Sequence, residues 1–294
     1  MYKAIATNKR NTILIMMGFV VLISIIGAGF AWYFDDWSVL IYVFSISAVY
    51  AVFQYFIACS LAVIMAGAKE ITQKDHPRLY NIVENLSITA GLPMPKVYVI
   101  NDDAPNAFAT GRDPQHASVA ATSGLLGIMD DKELTAVMGH EMSHVKNYDI
   151  RVSTIVFGLV ALIGFISDLG FRMLYYGGHR DRDDNDRSPV GMIIILVFSI
   201  LAPLLASLAQ MAVSRQREYL ADASSVNLTR YPEGMISALK KLDSHARPMK
   251  SQNAAMEALY ISNPLRKGTL TNLFSTHPPI EKRIERLEDG KNKF

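Results

Sequence analysis

His140-Glu141-Met142-Ser143-His144 is the stretch whose residue types and spacing point most directly to chemistry. Two histidines four residues apart on a helix face the same way, so both imidazoles can reach one tetrahedral metal ion. The glutamate beside the first histidine lies close enough to hold and deprotonate a metal-bound water. Neutral imidazoles with one carboxylate suit zinc. A catalytic zinc keeps three protein ligands and one open position, so a third ligand must come from elsewhere in the chain. Glu218 is the candidate, 74 residues after His144. Asp222 stands one helical turn further on, where it can orient an imidazole through its other nitrogen. Taken alone, Arg217-Glu218 reads as a helix surface ion pair rather than a ligand. What lies between the two segments decides the matter.

Most of that interval is apolar. Val152 to Tyr176 carries only Asp168 and Arg172, which stand four apart on one helical face and can neutralise each other near an interface. Ser188 to Ser214 has no Lys, Arg, Asp or Glu. A membrane hairpin that leaves near Arg151 and returns near Ser214 brings Glu218 back to the face that holds the histidines. Two further uncharged runs, Asn11 to Phe34 and Ser38 to Ala68, are long enough to cross a bilayer. With 50% hydrophobic residues and a positive mean hydropathy, the chain is too apolar for an ordinary soluble protein. The expectation is a mainly α integral membrane protein with four transmembrane helices and a cytoplasmic α+β domain. Residues 1–66 form one transmembrane hairpin and 152–213 a second, while 67–151 and 214–294 together build the polar domain. The basic start (Lys3, Lys9, Arg10) and the length of the first run favour an uncleaved anchor over a signal peptide.

The distribution of Lys and Arg sets the orientation. Residues 1–12 hold three, 35–37 none, 67–151 eight, 177–190 three and 214–294 fourteen. Positive-inside places both termini and both large polar segments in the cytoplasm. The loop 177–190, with His179 and four acids, reads as solvated because its charges alternate. A net charge of +2 gives no sign of nucleic acid. No phosphate-binding loop is present, so no nucleotide is implied. The single cysteine, Cys59, excludes a disulfide framework within the chain and a cysteine zinc site.

The elements that must hold the motif are legible around it. Asp130 with Glu133 three residues on forms a capping-box pattern, and Leu134, Val137 and Met138 continue the helix into the histidines. If that helix ran on unbroken, His140 would sit about 18 Å or less from the membrane. Ala68 to Ala90 shows helical spacing behind a break at His76-Pro77, and Lys96 to Ile100 reads as a strand. Asn106 to Gly111 and Ser118 to Leu126 form a hairpin around Arg112-Asp113-Pro114-Gln115. The strand that carries Asn106, Ala107, Phe108 and Ala109 is small-sided at its alanines, which suits either close core packing or an extended peptide added at the sheet edge. After His277-Pro278-Pro279, Ile280, Ile284 and Leu287 make an apolar helical stripe. His277 reads equally as a cap of that helix and as a donor to an oxyanion.

In their order, Asn106-Ala107-Phe108-Ala109, His140 to His144, Arg217-Glu218-Tyr219-Leu220-Ala221-Asp222 and Thr276-His277-Pro278-Pro279 resemble the HtpX-type membrane zinc proteases, relatives of the CAAX prenyl proteases. The resemblance covers essentially the whole chain. It implies a gluzincin fold with zinc on His140, His144 and Glu218, Glu141 as general base, and Arg283 with His277 near the site. It also implies stress-related hydrolysis of damaged or misassembled membrane proteins at a bacterial inner membrane, with self-cleavage as a tendency. The competing reading is a non-catalytic zinc-holding membrane scaffold, for which the carboxylate of Glu141 would have no use. Charged neighbours of His140 argue against a zinc site within lipid, and four spans with one self-paired ion pair offer little to line a transport pathway.

Overall fold

The computed structural model describes residues 2–33, 35–162, 215–250, 255–256, 259–262 and 278–290. The loop 177–190, the expected fourth span, the greater part of the third and His277 lie outside the described residues.

Two apolar helices open the chain, α1 at Tyr2–Tyr33 and α2 at Ser38–Met65. Both are long and apolar enough to cross a membrane. They lie so close together that a Cβ on Gly27 would come within 2.7 Å of the Val43 side chain, the approach that small residues permit between membrane helices. Ile13, Met17, Val21 and Ile25 on α1, and Ile41, Val49, Phe53 and Phe56 on α2, face outward. An apolar surface of that extent suits hydrocarbon rather than water. Trp32 and Trp37 are exposed at the hairpin tip, where interfacial aromatics belong.

The polar segment that follows builds one sheet. Its strands are β1 (Ala68–Glu70), β2 (Lys96–Ile100), β3 (Ala107–Gly111) and β4 (Ala117–Thr122), in the order β1-β2-β4-β3. β2 and β4 run parallel, and the two outer pairings are antiparallel. The expected hairpin is therefore β3-β4. Two boundaries differ from expectation. The helix α3 spans Pro77–Ala90 only, because Pro77 fits the first turn and the His76 ring caps it by accepting from the Leu79 amide. Ala68–Glu70 pair instead with Tyr98–Ile100 as a strand. β4 stops at Thr122, whose hydroxyl accepts from the Leu125 amide and opens the short helix α4, Ser123–Ile128.

The remaining helices are α5 (Asp131–Lys146), α6 (from 149, described to 162), α7 (Arg215–Thr229), α8 (Pro232–Ser244) and α9 (Ile280–Gly290). Alternation along the strands divides the core. Val97, Ala107, Ala109, Val119 and Ala121 pack with Leu79, Val83, Leu134 and Met138 of α3 and α5. Tyr98, Ile100, Phe108 and Ala120 pack with Ala62 and Val63 at the end of α2. The sheet thus lies between the motif helix and a membrane helix. Val152, Ile155 and Leu159 of α6 pack on Ile15 and Phe19 of α1 and on Ala51 of α2. α5 and α6 are not one continuous helix. Tyr148 adopts a φ of 61° and turns the chain between them, so the unbroken helix assumed for the distance to the membrane is not present.

The capping box of α5 is complete. Glu133 N donates to Asp130 Oδ1 at 2.9 Å, and Asp130 N donates to Glu133 Oε2 at 2.8 Å. Glu133 also accepts from Ser237 and Lys241 of α8, each at 2.6 Å. Burial pushes the Glu133 carboxyl up, but the bonds from Lys241 and Ser237 outweigh it and hold its pKa below the ordinary value. A depressed carboxylate contributes stability at neutral pH that is lost as pH falls through its folded pKa. Lys241→Met should therefore cost about 1 kcal/mol at pH 7, discounted for the part-exposed lysine, and move the acid-unfolding midpoint to higher pH. Thermal melts from pH 7 down to pH 3 would check it; equal melting curves for both proteins at every pH would count against the coupling.

Candidate metal centre

Gly139 sets the distance between the helices that meet at the site. A Cβ there would stand 2.9 Å from Ser225 Oγ of α7, and that hydroxyl donates to Ala136 O at 2.6 Å. The residue before the first histidine is thus the one that admits α7. Glu218, Asp222 and Ser225 follow one another at i, i+4 and i+7 on the face turned to α5.

His140, His144 and Glu218 converge, with one ligand atom from each within 4.8 Å of the others. The two Nε2 atoms are 3.1 Å apart; His140 Nε2 is 3.5 Å from Glu218 Oε2, and His144 Nε2 is 3.4 Å from Glu218 Oε1. Ligands bound tetrahedrally to zinc at about 2.0–2.1 Å stand about 3.4 Å from one another, so the spacing fits. The chemistry of the donors fits too. His140 Nδ1 lies 2.9 Å from Asp222 Oδ1, and His144 Nδ1 lies 3.1 Å from Asp149 Oδ2. A carboxylate can only accept, so each Nδ1 carries the proton and each Nε2 presents a lone pair. Two lone pairs and a carboxylate facing one another in a buried space call for a cation. Burial lowers the pKa of both imidazoles, but Asp222 and Glu218 at His140, and Asp149 and Glu218 at His144, outweigh it and raise both.

Asp222 is held in turn. Arg283 of α9 donates from Nη2 to Asp222 Oδ1 at 2.6 Å and from Nε to Oδ2 at 2.8 Å. Both residues are buried. Burial opposes charge on each, but the pair outweighs it, so Asp222 titrates below its ordinary value and Arg283 above. Glu141 is 2% exposed beside the cluster, and burial pushes its carboxyl above the ordinary value.

The sequence-expected residues His140, Glu141, His144, Glu218, Asp222 and Arg283 are therefore together, while His277 lies outside the described residues. Asp149 escaped the sequence reading. Its signal was an acid just past the end of the motif helix, and the Tyr148 turn is what returns it to His144. The expected substrate strand is β3, and its outer edge already has a neighbour. Ile261 N donates to Ala107 O at 2.9 Å, Asn106 Nδ2 donates to Ser262 O at 2.8 Å, and the Phe108 and Tyr260 rings meet edge-on. Ala107 and Ala109 let α5 lie close, which is the core-packing reading of their size.

Known proteins are similar to this one over the whole chain. It is 56% identical to a protease HtpX homolog of Tropheryma whipplei (strain Twist), over 100% of both chains. Against a protease HtpX homolog of Streptococcus gordonii (strain Challis) the identity is 47%, over 98% of this chain and 99% of that one. The crystal structure of S. mikatae Ste24p superposes with a TM-score of 0.51 at 19% identity, covering 98% of this chain and 67% of that one, a likeness of fold alone. Residues 73–291, which contain both histidines, Glu218, Asp222 and Arg283, match peptidase family M48. The resemblance carried by the ordered motifs thus holds across the full length, and the chain belongs to peptidase family M48, as a metallopeptidase of the HtpX type.

Proposed function

We propose that this metallopeptidase is a zinc endopeptidase that crosses a bacterial inner membrane four times, with both termini and the site on the cytoplasmic side. It hydrolyses, without ATP, cytoplasmic segments of damaged or misassembled membrane proteins under stress. The observation that carries the reading is the pair of imidazoles, His140 buried and His144 partly so, each fixed by a carboxylate so that its free lone pair meets Glu218. His140, His144 and Glu218 would hold a zinc ion, which when bound would supply Lewis acidity toward a scissile carbonyl and a water. Glu141 takes the proton of the attacking water and passes it to the leaving amine as the C–N bond breaks. Asp222 and Asp149 keep the imidazoles in the ligating tautomer, and Arg283 balances the buried charge of Asp222. His277 is the proposed donor to the developing oxyanion.

The substrate lies extended along Asn106 to Ala109, displacing Ile261 and Ser262 from that edge. The site lies close to the apolar helices, α2 on the far face of the sheet and α6 three residues beyond Lys146. Membrane-tethered polypeptides should therefore be cut in preference. In lipid vesicles, a flexible segment tethered to a transmembrane helix is expected to be cleaved at least about tenfold faster than the same segment free in solution, because tethering raises its effective concentration. Faster cleavage of the free segment would overturn the proximity argument. The same assay without nucleotide tests ATP-independence.

A further inference from the structure

The buried base of α1 reaches the metal centre. Asn8 is 3% exposed, although it is polar and lies in the first turns of an apolar helix. Its Nδ2 donates to Asn147 O at 2.9 Å and to Asp149 Oδ1 at 2.8 Å. Asn147 is the C-cap of α5, and Asp149 accepts from His144 Nδ1 through its other oxygen. Both amide hydrogens of Asn8 thus go to the turn that follows the motif helix. Thr12 Oγ1 bonds back to Asn8 O at 2.9 Å, which fixes that part of α1. Beside it the Tyr148 ring lies between the Lys9 ammonium at 4.9 Å and the Arg151 guanidinium at 5.1 Å.

We infer that Asn8 is a positioning residue of the metal centre, and that the first apolar helix thereby completes a site whose ligands all lie in the matched protease segment. The inference rests on the metal-binding reading above. The Asp149 carboxylate stands just past the turn at Tyr148, where one of its oxygens meets the His144 imidazole. The Asn8 amide holds it from the other side: Nδ2 donates to Oδ1 at 2.8 Å, with Arg217 Nε further off at 3.7 Å, while Oδ2 faces the imidazole. The bond is charge-assisted and buried, so it holds Asp149 firmly. His144 Nδ1 then stays protonated and Nε2 stays directed at the metal position. Residues 73–291 carry the family match, whereas Asn8 acts on them from outside it. The membrane helix is part of the ligand scaffold as well as an anchor.

The test is a double-mutant cycle on Zn2+ affinity. The full chain is purified in detergent with Glu141→Gln to prevent self-cleavage, and its zinc is competed with a chelator. Asn8→Ala should weaken zinc about tenfold where Asp149 is present, and less than about twofold where Asp149→Ala has removed the intermediary. Co2+ in place of zinc should show an altered visible absorption band in the first case only. Equal weakening in both backgrounds would make Asn8 a general support of the fold and overturn the inference, as would unchanged affinity in both. Asn8→Asp, of unchanged size, gives a second arm if the alanine variant does not fold. It sets two carboxylates face to face, and Asp149→Asn should recover zinc affinity by restoring a donor between them. No recovery would overturn the inference. Absence of zinc from the parent protein would instead sink the metal-binding reading on which it rests.

Discussion

Glu141→Gln should leave zinc bound at the wild-type level and slow peptide cleavage by about 10²–10⁴-fold, the range that a general base contributes. The amide has the shape of the carboxylate but cannot take a proton. It is not among the three side chains that converge, which are His140, His144 and Glu218, so the metal should stay. Glu141 is buried, and its pKa lies above the ordinary value because of that burial. Of the acids at this centre, Asp149 and Asp222 are each engaged by an imidazole, and Glu218 stands with the ligand atoms. Proton transfer therefore falls to Glu141. The measurement is zinc content and casein cleavage for both proteins in the same detergent. Equal zinc with cleavage in wild type alone establishes the base. Undiminished cleavage by the variant would remove Glu141 from the chemistry, and loss of zinc would mean that the carboxylate supports the ligands.

The motif residues were legible because their geometry is local. Helical spacing alone aligns His140 with His144 and Glu218 with Asp222, and a cap three residues long announces α5. Arg283 was implied by the family resemblance alone, and the structure buries it beside Ile284 on α9. Its partner was not legible, since Asp222 lies 61 positions away. The same holds for Asn8 with Asp149, 141 positions apart, and for Ser262 on the edge of β3. No periodicity reports which distant segments will meet. β1 was missed for another reason. Three residues are too few to show alternation, and Ile71 continued the helical spacing of α3, so only pairing with β2 reveals the strand. At Thr122 a hydroxyl that could close a strand or cap a helix does the second. The chemistry was thus written in short-range spacing, while the support of that chemistry depends on contacts between distant segments.

That support carries the second large effect. Arg283→Met should destabilise the protein by about 3–5 kcal/mol, because it leaves Asp222 as a buried and uncompensated charge. Arg283 is 1% exposed and Asp222 2%, so water cannot replace the lost partner. Asp222 would respond by taking up a proton or turning away, and either change removes the acceptor that fixes the His140 tautomer. Zinc affinity should fall by at least about tenfold as a result. Arg283→Lys keeps the charge but not the two-pronged contact through Nε and Nη2, so it should lie between wild type and the methionine variant. Combining Arg283→Met with Asp222→Leu separates the two consequences. Removing both charges should recover most of the stability, since an apolar pair carries no desolvation penalty. It should not recover zinc affinity, because His140 Nδ1 still lacks its acceptor. Melting temperature and zinc affinity measured on all four proteins would decide: if both recovered together in the double variant, Asp222 would be serving the fold alone, and the link from α9 through Arg283 and Asp222 to His140 would have no part in holding the metal.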